Sequence, residues 1–242
     1  NEKSVLPLGT LTVEETKAPD GYLLDGAYMQ AGDSTEQIKG MYLTQITEDG
    51  ELAVLSGSNQ YSVSDQVIRG GVKIQKRDLE TKETKAQGSA TLKDAAFAII
   101  SLNENSVLVE GKLYKKNETV KTVQTGIDGI ATTTADLLPY GKYKLEETKA
   151  PEGYLTDGAK AIEFSITENG KIVDLTDESH SIYNQIKRGD LEGVKIGAGT
   201  HKRLANVPFK ITSKTTGESH IVVTDKNGQF STASNWTSHK RN

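Results

Sequence analysis

Two stretches decide the reading of this chain: GTLTVEETKAPDGYLLDGA, Gly9 to Ala27, and GKYKLEETKAPEGYLTDGA, Gly141 to Ala159. Of their 19 aligned positions 13 are identical, so the sequence is internally repeated and its repeat unit must be found before any motif is read. The match resumes downstream, where Ile46-Thr47-Glu48-Asp49-Gly50 parallels Ile166-Thr167-Glu168-Asn169-Gly170. Further on, Ser62 to Val67 parallels Ser181 to Ile186. Upstream of these blocks a second kind of segment recurs, with Gly71-Val72-Lys73-Ile74 returning as Gly193-Val194-Lys195-Ile196 and Ala96-Phe97-Ala98-Ile99 as Pro208-Phe209-Lys210-Ile211. The repeat register therefore predicts the end of one domain over 1–69, a complete domain over 70–188 and the start of a third over 189–242, a chain cut mid-repeat at both ends.

Within the repeats, Val72 to Lys76, Tyr143 to Glu147, Ala161 to Ile166 and Ser181 to Ile186 alternate apolar and polar residues and are rich in β-branched types, with Gly, Asn and Asp turns between them. Asp49-Gly50 and Asn169-Gly170 carry the signals of tight hairpins. No segment shows a convincing amphipathic helical period, and 83–90 reads as a polar loop. The expectation is all-β: tandem Ig-like or prealbumin-like β-sandwich domains, the central one with about seven strands.

Composition narrows the function classes. The 29 basic and 33 acidic residues are interspersed and leave a net charge of -4, which provides no electrostatic footprint for nucleic acid. No apolar run is long enough for a membrane helix, and the first residues lack a secretory pattern, so no membrane insertion is expected in this segment. With no cysteine, disulfides and thiolate chemistry are excluded, and a secreted fold needs another kind of staple. His180, His201, His220 and His239 have no metal-ligand spacing, and no phosphate loop or nucleophile elbow is present, so neither a metal, a cofactor nor a conventional active site is expected.

Strand parity supplies the candidate staple. Residues two apart share a face of a strand, which puts Lys76 in phase with Val72 and Ile74, Glu147 with Tyr143 and Leu145, and Asn184 with Ile182 and Ile186. Three core-facing strands thus each bury one polar group. Burial drives a lysine to lose its proton and a carboxylate to keep one. A neutral Lys76 is an amine nucleophile, and a protonated Glu147 can polarise the Asn184 carboxamide and shuttle protons while an amide forms and ammonia leaves. Holding the groups together removes roughly 7 to 11 kcal/mol of barrier in favourable cases. On parity alone an ordinary buried Lys76–Glu147 salt bridge capped by the Asn184 amide is the better reading. In the first segment Glu15 is in phase with Leu11 and Val13, and Asp65 with Val63 and Val67, the same pattern with Asp as the acceptor and its lysine expected before Asn1.

The segments VKIQKRD, KDAAFAII, GKYKLEETKAPEGY and SIYNQI resemble the collagen-adhesin B-type, prealbumin-like (SpaA-type) domains of Gram-positive adhesins and pilins, over the whole central domain and both flanks. That resemblance implies an autocatalytic isopeptide bond between Lys76 and Asn184, with Glu147 catalytic. It assigns Glu15 and Asp65 to the equivalent site of the first domain. It also implies a structural stalk module on the bacterial cell surface, anchored to the wall, which is no enzyme beyond this single turnover. Its partners would be neighbouring repeats of the same polypeptide. The alternative function is an adhesin module that grips host extracellular matrix or glycan. In the third segment, aligning GVKIGA with GVKIQK sets Ala198 against Lys76, so the donor is expected to be absent there and Thr200 is a conceivable ester-forming substitute. Arg188-Gly189-Asp190 matches an integrin-type tripeptide but reads better as linker, since its counterpart is Arg69-Gly70-Gly71. Leu113 to Asn117 lacks the proline of a pilin polymerisation motif, and the sequons at Asn117 and Asn235 read as coincidence.

Overall fold

The structure is a computed structural model and describes residues 5–30, 37–39, 41–52, 63–156 and 159–233. Every regular element among them is a strand. The described residues accordingly fold as all-β, with a two-sheet sandwich at their centre.

The N-terminal segment contributes β1 (Gly9–Glu14), β2 (Tyr22–Gln30), β3 (Gln37–Lys39), β4 (Met41–Ile46) and β5 (Val63–Val67). β1 pairs antiparallel with β4, and β2 lies between β3 and β5. Thus the recurrent E-T-K-A-P-D-G-Y block forms the connection from one sheet to the other, from Glu14 to Tyr22.

The central domain follows with β6 (Arg69–Asp78), β7 (Ala96–Ser101), β8 (Val107–Val109), β9 (Lys112–Tyr114), β10 (Thr119–Gln124), β11 (Ile130–Thr132), β12 (Leu138–Pro139), β13 (Gly141–Lys149), β14 (Ile162–Ile166), β15 (Lys171–Leu175) and β16 (Ile182–Asn184). One sheet has the order β10-β7-β13-β14; the other is built on β6, which pairs with β11, β12, β15 and β16. Between the sheets lie Val72, Ile74, Phe97, Ile99, Leu138, Tyr143, Leu145, Ile166 and Ile182, each at most 2% exposed. Burial of side chains of this size contributes about 1.5–3 kcal/mol apiece. Tyr143 is the largest of them, and its hydroxyl donates to Pro139 O at 2.8 Å, which makes its burial affordable.

Two details depart from the sequence reading. The central domain has more strands than seven, because short segments such as β11, β12 and the β8–β9 hairpin, closed by Glu110 and Gly111 at positive φ, are too brief to announce themselves by alternation. The Asn169-Gly170 turn also does not close a hairpin ladder. β14 pairs with β13, whereas β15 crosses to the opposite sheet and runs parallel to β6. The turn is captured by the start of β6, where Arg69 N donates to Asn169 Oδ1 at 3.1 Å and Gly170 N to Arg69 O at 2.8 Å. Close packing here needs glycine at Gly70, where a Cβ would come within 2.7 Å of Lys171 O.

The C-terminal segment holds β17 (Glu192–Val194), β18 (Pro208–Thr212), β19 (Ser219–Val223) and β20 (Gln229–Ser231), paired as β17–β20 and β18–β19. Phe209 and Phe230 stack with centroids 4.9 Å apart. Trp236, His239 and the sequon at Asn235 lie outside the described residues.

Candidate functional site

Lys76 lies near the C-terminal end of β6 and is wholly buried, as parity required. β16 runs parallel beside it in the register Ile182↔Lys76 and Asn184↔Asp78, so Asn184 is one diagonal step from Lys76 along the neighbouring strand and is likewise 0% exposed. Glu147 arrives from the other sheet, on β13 opposite Phe97 of β7. Its side chain is 1% exposed. The three residues therefore meet across the sandwich, between the first strand, the last strand and the facing sheet.

The contacts are short and directional. Lys76 Nζ is 3.1 Å from Glu147 Oε1 and donates to Ile182 O at 3.2 Å. The Phe97 ring lies beneath it, 5.9 Å from Nζ to centroid. Asn184 Nδ2 donates to Glu147 Oε2 at 2.6 Å and to Leu155 O at 2.7 Å, whereas Asn184 Oδ1 is enclosed without a hydrogen-bond partner. One carboxyl thus faces the amine with one oxygen and the amide nitrogen with the other. This differs from the expected contact of Glu147 with the amide carbonyl. Leu155 O can only accept, so it turns the Nδ2 edge of the carboxamide toward itself and Glu147. Burial pushes the Lys76 ammonium down to about 8, against the opposing pull of Glu147.

A second buried network supports this one and was not read from the sequence. Asp78, two residues beyond Lys76, is 0% exposed and accepts from Glu80 N, Thr81 N, both through Oδ1, from Gln87 Nε2 and, at 2.8 Å, from the Tyr154 hydroxyl. Burial raises the Asp78 carboxyl, but the hydrogen bonds of Thr81, Gln87, Tyr154 and Glu80 together hold it below the usual range. Tyr154 directly precedes Leu155, whose N–H donates to Gln185 O at 2.9 Å. The network therefore clamps the strand end that carries Asn184 to the carbonyl that orients it. The signal available was the Gly-Tyr that closes both repeated blocks.

In the N-terminal segment the structure brings Glu15 and Asp65 close together. Desolvation, and then the charge of Asp65, raise the Glu15 carboxyl. Glu15 Oε2 and Asp65 Oδ1 are enclosed without partners. The side chains of Val13 and Val63, with which their parity was counted, lie outside what the structure describes.

The linker tripeptide is engaged internally. Arg188 pairs with Glu80, donating from Nε to Oε1 at 2.8 Å and from Nη2 to Oε2, and these bonds with Gln185 draw Glu80 down to about 2. Asp190 Oδ1 accepts from Thr232 Oγ1 at 2.9 Å. His180 bonds Asp177 and His220 bonds Glu218. Among the described residues no cluster of three His, Cys, Asp or Glu is arranged to hold a metal ion.

A sandwich in which first and last strands run parallel and share a buried Lys–Glu–Asn constellation defines a class. Residues 70–179 match the family model of the SpaA prealbumin-like fold domain. No curated protein matches the chain in sequence. Among solved structures it is similar to the Bacillus anthracis TIE protein, 25% identical with a TM-score of 0.55, over 93% of this chain and 34% of that one. It therefore spans about a third of that relative's length. A Streptococcal ancillary pilin is 18% identical with a TM-score of 0.35, covering 93% of this chain and 62% of that chain. The shaft pilin SpaA from Lactobacillus rhamnosus GG is 16% identical with a TM-score of 0.32, covering 67% and 81%.

Proposed function

We propose that the chain is part of the stalk of a Gram-positive surface protein, displayed outside the cell and anchored to its wall, in which the central domain ties itself with a Lys76–Asn184 isopeptide bond. The division into 1–69, 70–188 and 189–242 belongs to this reading, with the flanks as parts of neighbouring repeats. The observation that carries it is the single Glu147 carboxyl bridging the Lys76 amine and the Asn184 amide nitrogen inside the core.

The chemistry follows from those distances. The Lys76 ammonium passes one proton to Glu147, and the neutral Nζ attacks Asn184 Cγ to form the new C–N bond. Glu147 delivers its proton to Nδ2 and takes up the second amine proton. The Cγ–Nδ2 bond then breaks and ammonia leaves. The protein performs this once on itself and turns over no external substrate. The product replaces a buried ion pair, costly to desolvate, with an uncharged amide.

Intact-mass spectrometry of the chain tests the reading. The expected mass is lower than the sequence mass by one ammonia, and Lys76→Ala or Glu147→Ala restores the full mass. A folded wild-type chain at full sequence mass overturns the proposal.

One observation favours a second role, ligand capture at a domain junction. A cleft of about 500 Å³ lies between the N-terminal segment and the central domain, lined by half-exposed Tyr22, Tyr140 and Leu108 and by Asn103. Binding to glycan or matrix-protein arrays that is lost in Tyr140→Ala would support it; arrays without signal would dismiss it.

A further inference from the structure

Two acceptors converge on one nitrogen in the core. Asn184 Nδ2 carries two hydrogens, and both are taken, one by Glu147 Oε2 at 2.6 Å and one by Leu155 O at 2.7 Å. The other end of the carboxamide, Oδ1, is enclosed without a partner. The position of Nδ2 therefore demands a donor. An amide nitrogen supplies two, a protonated carboxyl supplies one, and a carboxylate oxygen supplies none. Glu147 can relax its share of that demand by taking up a proton. The Leu155 carbonyl cannot, because a backbone oxygen accepts and never donates.

That carbonyl is fixed from several sides. Within its turn Tyr154 N donates to Pro151 O at 3.1 Å, and the turn is tied to the last strand by Leu155 N to Gln185 O at 2.9 Å and Lys187 N to Gly153 O at 2.8 Å. The Tyr154 hydroxyl anchors it to Asp78 Oδ2 at 2.8 Å. Gly153 has φ 87°, and a Cβ there would stand 2.4 Å from Ala90 Cβ, so the turn lies pressed against the loop before β7 and has no room to back away. The Leu155 side chain, by contrast, is 38% exposed. What this residue contributes to the site is its main chain, which no side-chain pattern in the sequence announces.

We propose that the Leu155 carbonyl, acting with Glu147, selects the class of acceptor at position 184, admitting a carboxamide and rejecting an ionised carboxyl. The inference rests on the crosslink reading of the central domain and adds to it what decides between ammonia and water as the leaving group. An aspartate at 184 would set an oxygen where Nδ2 now lies, facing two acceptors, and it would fit only with a proton on it. The first segment shows the same conflict between two acids: desolvation, and then the charge of Asp65, raise the Glu15 carboxyl. With the extra proton the chemistry balances. Lys76 Nζ passes one proton to Glu147 and attacks Cγ, the C–N bond forms, and the acid hydroxyl leaves with the proton from Glu147 as water while Glu147 takes the second amine proton. Without it the amine would have to attack a carboxylate and expel oxide, and the reaction stops.

Intact-mass time courses of the chain refolded at pH 5.5 and at pH 7.5 test this. Wild type is expected to lose one ammonia at similar rates at both values, since both lie below the titration of Lys76 at about 8. Asn184→Asp is expected to lose one water at pH 5.5 and to do so at least about tenfold more slowly at pH 7.5, because the protonated fraction of an acid falls about tenfold per unit above its midpoint. Leu155→Ala, which keeps the carbonyl, is expected to crosslink at the wild-type rate. The proposal is overturned if Asn184→Asp matches wild type at pH 7.5, if it is no faster at pH 5.5 than at pH 7.5, whether or not it folds, or if Leu155→Ala slows the reaction. A folded wild type at full mass overturns the crosslink itself, and the demand for a donor is then read from urea midpoints. A carboxyl raised in the fold loses stability as pH climbs, so those of Asn184→Asp should fall relative to wild type from pH 5.5 to 7.5, and a constant difference overturns the selection as well.

Discussion

At Lys76 two opposing demands meet: a chain of apolar methylenes that suits the core and a charge that does not. The uncrosslinked side chain shows the conflict in its titration. Lys76 has a value of about 8 in the fold against 10.5 in an unfolded chain, so between these values the unfolded chain binds more protons. In Asn184→Ala, which cannot crosslink, stability should therefore be lowest below pH 8 and rise as pH climbs beyond 8, by on the order of 3 kcal/mol if the whole interval could be traversed. Above about pH 10 the buried Tyr143 and Tyr154, whose hydroxyls are raised by burial, begin to oppose the gain. Urea midpoints at pH 7, 8, 9 and 10 measure it, and a flat profile contradicts a desolvated Lys76. Glu147→Gln leaves the buried ammonium without a counter-charge; the expected loss is about 3–5 kcal/mol, together with full sequence mass.

At the scale of the elements, β6 and β16 lie side by side and parallel, and Tyr154 and Leu155 hold the end of β16 in place. Tyr154→Phe removes one buried donor from Asp78 and should destabilise the domain by about 1–3 kcal/mol in urea denaturation. It should also slow ammonia loss in a time course by mass, because the carbonyl that turns the carboxamide is no longer anchored. Unchanged kinetics with lowered stability would confine Tyr154 to a structural role. Gly71→Ala should be as costly, since its Cβ would stand 2.3 Å from Thr134 O, a backbone atom that cannot step aside. The elements also show where the sequence was readable. The inward phase of Lys76, Glu147 and Asn184 was legible because alternation is a property of one strand. The short β11 and β12, the Asp78 hub and the crossing at Asn169-Gly170 were not, because each depends on what a distant segment offers.

Across the whole molecule, tension applied through the ends of the central domain enters at Arg69 and leaves at Arg188. Both arginines are tied to the domain's own surface, Arg69 to Leu137 O and Leu108 O, Arg188 to Glu80. With Lys76 bonded to Asn184, force passes from β6 directly into β16, and residues 77–183 carry none of it. In single-molecule pulling the wild-type central domain should give no long unfolding step. Lys76→Ala should release residues 77–183, roughly 350 Å of extended chain. A step of that length in the wild type would show the bond unformed.

What the sequence by itself determined is the all-β class, the repeat and the inward placement of one lysine, one glutamate and one asparagine. All follow from local periodicity and from identities between copies. What only the tertiary structure decided is which strands are neighbours and which atom of the carboxamide Glu147 meets. Register between strands is set by hydrogen bonds from residues far along the chain. Superposing the two Gly-Val-Lys-Ile strings sets Ala198 against Lys76, but Lys195 N bonds Gly228 O at 2.7 Å as Lys76 N bonds Gly129 O at 2.8 Å, a register three residues away that only the backbone hydrogen bonds show.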